Sequence, residues 1–333
     1  MSHSNISIFV PHVGCPHKCA FCDQRTITGK QDIPRADDVR RICTMAMEQI
    51  SEPKDTEIAF FGGSFTAIPK DHMLELLEAA KPFIGGSGFK GIRCSTRPDC
   101  IDDSVLKLLK EYGVTAIELG AQSMSDKVLE ANERGHTAAD VENAARLIRS
   151  YGIELGLQMM IGLYKSDISD ERQTVSKINA LRPDTVRIYP VVILEHTRLA
   201  ELFHSGEYQP FDFESAVSLS AEAMQIFHES GIRVIKCGLH ASEFVEQDMV
   251  GGFYHPAFRE LCEGRIYRSL IETVIERLDD IQKESGLTFA VRRGCISKAV
   301  GHKRENVRYF AGKGVKIRFI EENGLPLYKA ELR

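Results

Sequence analysis

One alternation runs through most of the chain and limits what it can fold into. A short apolar, β-branched run is followed by a turn and then by a stretch with helical spacing of its apolar residues. The runs are Ile6–Val10, Glu57–Phe61, Gly91–Ser95, Val114–Leu119, Ile153–Ile161, Thr185–Val191 and Ile232–Cys237. The helical stretches between them lie near residues 37–50, 70–83, 102–112, 137–150, 168–181 and 213–230. Six or seven such units in series, with no reversal, predict an α/β fold whose parallel strands form a full or partial (β/α) barrel. A doubly wound sheet is the alternative. The strands read as continuous apolar runs, which predicts helices over one face of the sheet and a filled core on the other. Pro34 and Pro69 stand just before two of the helices, and Thr137 with Asp140 has capping-box spacing.

Past residue 255 the alternation stops. A long helix near 257–284, a strand at 287–291, a helix near 296–310 and strands at 315–320 and 327–332 predict a small α+β appendage. The domain organisation is therefore a partial (β/α)6-type barrel over 1–255 and an appendage over 256–333. Charge is distributed unevenly between them. The whole chain of 333 residues has 42 Lys and Arg against 47 Asp and Glu, a net charge of -5, which argues against a dedicated polyanion binder. Residues 291–318 hold nine of the cations and one carboxylate, Glu305, so this stretch is +8 and the remainder -13. Val300–Val307 resembles a KH-type helix–loop–helix, a nucleic-acid backbone clamp, but lacks the second glycine of its loop. The other reading of this basic stretch is a solvated helix face.

Nine cysteines, with no apolar span for a membrane and no export signal at the N-terminus, are unsuited to a disulfide scaffold. A reducing, cytoplasmic setting with no membrane is expected. Three of the cysteines, Cys15, Cys19 and Cys22, lie in Gly14-Cys15-Pro16-His17-Lys18-Cys19-Ala20-Phe21-Cys22, directly after the first strand. Such short loops bring several sulfurs onto one iron–sulfur cluster, and three ligands leave one iron of a [4Fe–4S] cube open. A zinc site is the other reading, with His12 or His17 as fourth ligand. The end of a strand is also where (β/α) barrels place their chemistry.

The spacing of Cys15, Cys19 and Cys22, with Phe21 before the last, resembles the signature of radical S-adenosylmethionine enzymes. The resemblance implies a [4Fe–4S] cluster on these cysteines, with S-adenosylmethionine on the open iron and reductive cleavage to a 5′-deoxyadenosyl radical. An electron donor such as flavodoxin or ferredoxin is implied as well. Gly62-Gly63-Ser64 is similar to the family's glycine motif at the methionine end of the cofactor, although the family often has Glu where this chain has Ser64. The resemblance extends the cofactor contacts to Ser95, Glu118, Gln122, Arg134, Gln158 and Gly162. The other reading of Glu118 is a barrel-lining carboxylate paired with Arg97 or Arg134.

The wording around Asn132-Glu133-Arg134-Gly135-His136-Thr137, Val186–Pro190 and His255–Glu260 is similar to the subgroup that contains the radical domain of the elongator catalytic subunit, over roughly residues 5–262. About 70 residues beyond the barrel are too few for an acetyltransferase domain, so acetylation is not expected. Stand-alone members of the subgroup include a queuine lyase. This implies a nucleobase-like small molecule as substrate, with queuine converted to its aminomethyl-deazaguanine precursor. Tyr164, Arg187, Tyr189, Tyr254 and His255 are the candidate substrate contacts, since a planar base suits aromatic stacking with a few polar partners. Cys237, Lys236 and His240 are the catalytic candidates, Cys237 as hydrogen donor or radical relay, although a lone Cys at a strand end is more often a buried small apolar residue. The alternative function is modification of tRNA, with the basic C-terminal stretch holding the RNA. The remaining cysteines lack cluster spacing and are expected to be structural.

Overall fold

The computed structural model describes residues 4–10, 19–23, 32–239, 242–278 and 286–333. Its main sheet contains β1 (Ser4–Val10), β2 (Thr56–Gly62), β3 (Gly91–Thr96), β4 (Val114–Gln122), β5 (Glu154–Ile161), β6 (Thr185–Pro190) and, beyond a short β7 (Val192–Leu194), β8 (Arg233–Cys237). Order in the sheet is order in the sequence, β1-β2-β3-β4-β5-β6-β8. Every neighbouring pair is parallel. A doubly wound sheet would reverse its strand order at a switch point. This one winds in a single sense into a half-barrel, as the serial pattern predicted.

The strands alternate rather than run apolar throughout, and this corrects the sequence reading. Ile92 and Cys94 of β3, Ile117 and Leu119 of β4, Leu155 and Leu157 of β5, and Val186 and Ile188 of β6 join one buried apolar core with the helices. Residues next to them in the strands, Arg93, Glu118, Gln158 and Arg187, meet one another on the opposite, concave face. Period-2 geometry requires this separation of faces. The concave face is filled by hydrogen-bonded charge where the sequence had predicted apolar packing.

Six of the twelve described α-helices begin at a side chain that accepts from a first-turn N–H. Asp102, Asp167, Thr197, Asp212 and Ser242 accept from Val105, Asp170, Ala200, Ser215 and Val245 respectively. Thr137 and Asp140 form the expected capping box on Ala138–Ser150. Each such cap is worth about 1 kcal/mol. Pro34 and Pro69 do stand before the helices Ala36–Gln49 and Lys70–Ala80.

After β9 (Met249–Gly252), which pairs antiparallel with β7, the helix Phe258–Ile275 packs along the helix Phe213–Glu229, where Arg265 binds Ser218 and Glu214. Its other side carries a second sheet, β10 (Leu287–Arg292), β11 (Ile317–Glu322) and β12 (Ala330–Leu332), in the order β11-β10-β12. Ile271, Leu287, Phe289, Phe310, Val315 and Ile317 form a small core there. The predicted helix near 296–310 is two helices, Ile296–Val300 and Glu305–Gly312. At the break Lys303 and Arg304 both lie in the left-handed region, at φ 49° and 62°. The long predicted helix runs to Ile275, and residues 279–285 lie outside the described part. The last strand is shorter than 327–332. Among the described residues no helix is long and apolar enough to cross a membrane.

Candidate functional site

The second half of the cysteine loop sits at the end of the sheet where the strands finish. Its backbone is clamped on two sides: the Ala20 N–H donates to the Asn132 carbonyl at 3.1 Å, and the Leu199 N–H donates to the Ala20 carbonyl at 2.7 Å. A tight turn closes it, with the Cys22 N–H bonded to the Cys19 carbonyl at 3.0 Å. Cys19 is buried, and Cys22 and Phe21 are half-buried. Cys15, with His12 and His17, lies outside the described residues.

Arg134 organises this corner. Its Nη1 donates to Cys19 Sγ at 2.9 Å and its Nη2 to the Gly120 carbonyl at 2.6 Å. Its guanidinium lies 5.9 Å from the centre of the Phe21 ring. A Cβ on Gly120 would come within 2.8 Å of Gln122 Nε2 and 3.3 Å of Arg134 Nη2, so a larger residue there would displace the ends of those two side chains. Buried Arg97, forked onto Asp99 at 2.9 Å through both Nε and Nη2, is the second guanidinium whose charge reaches Cys19. Between these cations His136 is held neutral, its pKa pushed down to about 4 by burial and by Arg134 and Arg97.

Below this corner the concave face carries a continuous polar chain. Gln158 Nε2 donates to Glu118 Oε2 at 2.9 Å and, at 3.4 Å, to Ser95 Oγ. Glu118 receives Arg187 Nη2 at 2.9 Å and Arg93 Nη1 at 3.3 Å. Arg187 reaches the Tyr189 hydroxyl at 3.5 Å and stacks 5.0 Å from the Phe61 ring centre. The sequence reading paired Glu118 with Arg97 or Arg134; the structure corrects this to Arg93 and Arg187, the cations of the adjacent β3 and of β6. Deeper still, fully buried Arg93 also donates to Glu57 at 2.8 Å and Glu154 at 2.7 Å. Burial acts to raise the Glu57 carboxyl, but Arg93 and the Thr115 hydroxyl hold it below the usual carboxylate range. One guanidinium with three carboxylates thus closes the bottom of the half-barrel, and the face opens toward the cysteine loop. Lys236 shares this environment, its pKa lowered by burial and by the nearby charges of Arg187 and Arg259.

Two strand ends are shaped for close approach. Gly62 has φ +110°, and a Cβ on it would stand 3.4 Å from the Val10 backbone. Gln122 ends β4 at φ 63° beside a register shift, with its Oε1 buried and unpartnered. Gly63 is half-buried and Ser64 buried at the same rim. At the end of β5, Gly162 has φ +86° and donates its N–H to Glu171 at 2.7 Å. Its carbonyl accepts the Tyr208 hydroxyl. Glu171 also accepts from Ser166 Oγ at 2.8 Å, and burial pushes its pKa up to about 7.

Other candidates fall elsewhere. Cys237 is the clearest correction. It belongs to the helix-facing side of β8, with its sulfur 3.9 Å from that of Cys262, so it points away from the concave face. The Tyr254 hydroxyl accepts the Ser242 N–H at 3.2 Å and donates to Glu246 at 3.0 Å. His255 turns toward Phe213 and His302, ring centres 6.3 and 5.4 Å away. Tyr164 lies in the loop after β5, its carbonyl held by Asn132 at 2.9 Å and its ring edge-on to Tyr208. His240 lies outside the described residues. Sequence reasoning missed Glu57, Arg93, Glu154 and Glu171. The signal for the first three was present as a single charged residue in each of three otherwise uncharged strands; Glu171, on a helix, gave none.

These residues fit a sulfur-bound cluster and a small zwitterionic cofactor. Guanidinium charge faces a cysteine sulfur, a buried amide oxygen awaits a donor, and a positive-φ glycine leaves a backbone cradle that a Cβ would narrow. Comparison with known proteins agrees. Residues 9–178 match the Radical SAM superfamily and residues 183–268 the Radical_SAM C-terminal domain. An uncharacterized protein of Methanocaldococcus jannaschii is 29% identical over 226 residues, 64% of this chain and 69% of that one. The tRNA uridine(34) acetyltransferase of the same organism is 26% identical over 252 residues, 64% of this chain and 47% of its own length. The chain thus spans about half the length of that relative. In fold it is similar to Elp3 of Methanocaldococcus infernus, with a TM-score of 0.61 at 19% identity, over 88% of this chain and 71% of the other. The cofactors of this family are a [4Fe–4S] cluster and S-adenosylmethionine. With the cysteine loop, the glycine rim and the half-barrel in place, the chain belongs to the radical SAM superfamily.

Proposed function

We propose that this enzyme acts on a nucleobase carried by RNA, and that the polar chain Ser95–Gln158–Glu118–Arg187–Tyr189 is the floor on which cofactor and base meet. When bound, the cluster and S-adenosylmethionine supply a 5′-deoxyadenosyl radical that abstracts hydrogen from substrate. Cys15, Cys19 and Cys22 hold the cluster, with Phe21 packed beside Arg134. Gly62, Gly63 and Ser64 offer backbone to the methionine end, and Gln122 offers its unpartnered amide oxygen. Ser95, Glu118 and Gln158 orient the ribose side, and Gly162 lets the β5 loop lie close to the adenine. Arg187, Lys236 and Tyr189 face the base, with Tyr164 at the rim. A one-electron donor of the flavodoxin or ferredoxin class supplies the reductant.

The observation that carries this reading is the hydrogen-bonded polar floor itself, continuous from β3 to β6 and opening toward the cysteine loop. The similarity to a tRNA uridine(34) acetyltransferase favours a polymer-borne base. The test uses anaerobically reconstituted, reduced enzyme with S-adenosylmethionine, and 5′-deoxyadenosine is quantified with bulk tRNA, with free queuine or with neither. Stimulation by tRNA is expected. Stimulation by queuine alone would overturn the proposal in favour of a lyase acting on the free base.

A further inference from the structure

The C-terminal region contains a feature that radical chemistry does not require. β10, the helix Ile296–Val300, the helix Glu305–Gly312 and β11 form a strand–helix–helix–strand unit in which β10 and β11 are adjacent and parallel. β12 adds antiparallel on the other side of β10. The turn between the two helices is Gly301-His302-Lys303-Arg304. Modules that grip a single-stranded RNA backbone use such a short loop between two helices, beginning at a glycine.

The turn is rigidly built from below. Gly301 has φ +79°, and a Cβ there would come within 3.1 Å of the Asn306 side chain. Asn306 is buried and fully bonded, its Nδ2 donating to the Gly264 and Ala299 carbonyls at 2.8 and 2.9 Å and its Oδ1 accepting from Arg268 at 2.9 Å. Arg268 also pairs with Glu305, so the one carboxylate of the basic stretch is neutralised from the helix beneath. The base of the turn is therefore fixed and its acid spent.

The upper side is the reverse. Lys303 and Arg304 are exposed, and both are held in the left-handed region, which is costly for residues with a Cβ. Among the described residues neither has a carboxylate partner, and Arg308, exposed one helical turn on, has none either. By contrast Lys298 and Lys313 are paired with Glu263 and Glu272. Exposed Arg292, Arg293, Lys316 and Arg318 are likewise without a carboxylate partner among the described residues, but only Lys303 and Arg304 stand at the tip, on the turn between the two helices. That tip lies beside the half-barrel: His302 is edge-on to His255, which in turn faces Phe213, the first residue of the helix Phe213–Glu229. This helix runs back from the strand ends where the cysteine loop sits, so the tip lies toward the open end of the concave face.

We propose that Gly301–Arg304 is a phosphate clamp for a single-stranded segment of the substrate RNA, with Lys303 and Arg304 contacting consecutive phosphates. This rests on the RNA reading given above and adds where the polymer is held. No base is read at the loop, so affinity from this contact is independent of sequence and sensitive to salt.

The test is binding of the full-length reconstituted protein to fluorescent tRNA and to a single-stranded RNA oligonucleotide, followed by anisotropy across a salt series. The wild type is compared with the double variants Lys303→Glu/Arg304→Glu and Lys303→Ala/Arg304→Ala. Both sites are exposed, and unchanged melting temperature and iron content confirm folding. The charge-reversed variant is expected to bind at least 10-fold more weakly. The alanine variant is expected to lower the slope of log affinity against log salt by about 1.4, for two lost phosphate contacts on a single strand. Affinity and slope unchanged in both variants would overturn the clamp, even if tRNA still stimulates cofactor cleavage by the wild type. Loss of binding in the variants with no stimulation of the wild type by tRNA would leave the clamp standing and overturn the functional reading instead.

Discussion

At the scale of single residues, Glu118 is the centre of the concave face. It is 1% exposed and carries two guanidinium partners, Arg93 and Arg187, together with the Gln158 amide. Removing one member of such a buried group leaves uncompensated charge, which costs roughly 3–5 kcal/mol. Glu118→Ala is expected to lower the unfolding free energy measured by urea denaturation by that amount, and Glu118→Gln, which keeps the hydrogen bonds partly intact, by less. Glu171 sets a pH dependence. In the folded protein it keeps its proton up to about pH 7, against an ordinary value of 4.5. Between those values the native state binds more protons, so its contribution to stability is full below about pH 4.5 and is lost as the pH rises toward 7. His136 acts oppositely, native pKa about 4 against 6.5, losing stability as the pH falls through that window. Comparing Tm between wild type and Glu171→Gln from pH 5 to 8 separates the two, because only the wild type is expected to lose Tm relative to the variant as pH rises. The cysteines proposed to hold the cluster stood out because their spacing is local. Glu118's partners were not, because Arg93 and Arg187 reach it only through strand register.

Among elements, the strand ends do most to shape the site. Gly162 follows β5 at φ +86°, and a Cβ would come within 2.4 Å of the Phe253 ring, just after β9. Gly162→Ala is therefore both strained and overpacked, and a loss of about 1–3 kcal/mol in chemical denaturation is expected, with weaker S-adenosylmethionine binding by calorimetry. The serial βα pattern was readable because each crossover repeats the same local signals, apolar run, capping residue and amphipathic helix. The break at Gly301–Arg304 escaped that logic. Lys303 and Arg304 have good helix propensity, and only the tertiary bonds of Asn306 to Gly264 and Ala299 reveal why the chain turns there. The short pair β7 and β9 escaped for the same reason, since it joins segments more than fifty residues apart.

For the molecule as a whole, the helix Phe258–Ile275 joins the two predicted parts: Arg265 binds Ser218 and Glu214 of the half-barrel helix, and the small core of the appendage lies on its other side. Tyr267 and Ile271, on the helix Phe258–Ile275, are each 0% exposed, and Ile271 is covered by the core of the appendage. A chain ending at residue 285 would uncover both, so it is expected to melt well below the full-length protein and to aggregate, as light scattering during a thermal ramp would show. The uneven charge was legible by counting, but its placement was not. Helix Phe258–Ile275 neutralises part of the basic stretch through Glu263 and Glu272 and leaves the loop tip uncompensated. The burial of the thiols has a practical consequence for chemical labelling. Cys43 and Cys94 are buried, with pKa values pushed up to about 12 by that burial, and Cys237, Cys262 and Cys295 are buried too. A brief alkylation of the native protein at neutral pH should therefore spare these five and, among the described residues, modify chiefly half-buried Cys22 and Cys100. Cys100 then serves as an internal reference, and with the cluster held on Cys22 as proposed, the ratio of mass adducts at Cys22 to those at Cys100 reports what fraction of molecules has lost its cluster, without any need for colour or turnover.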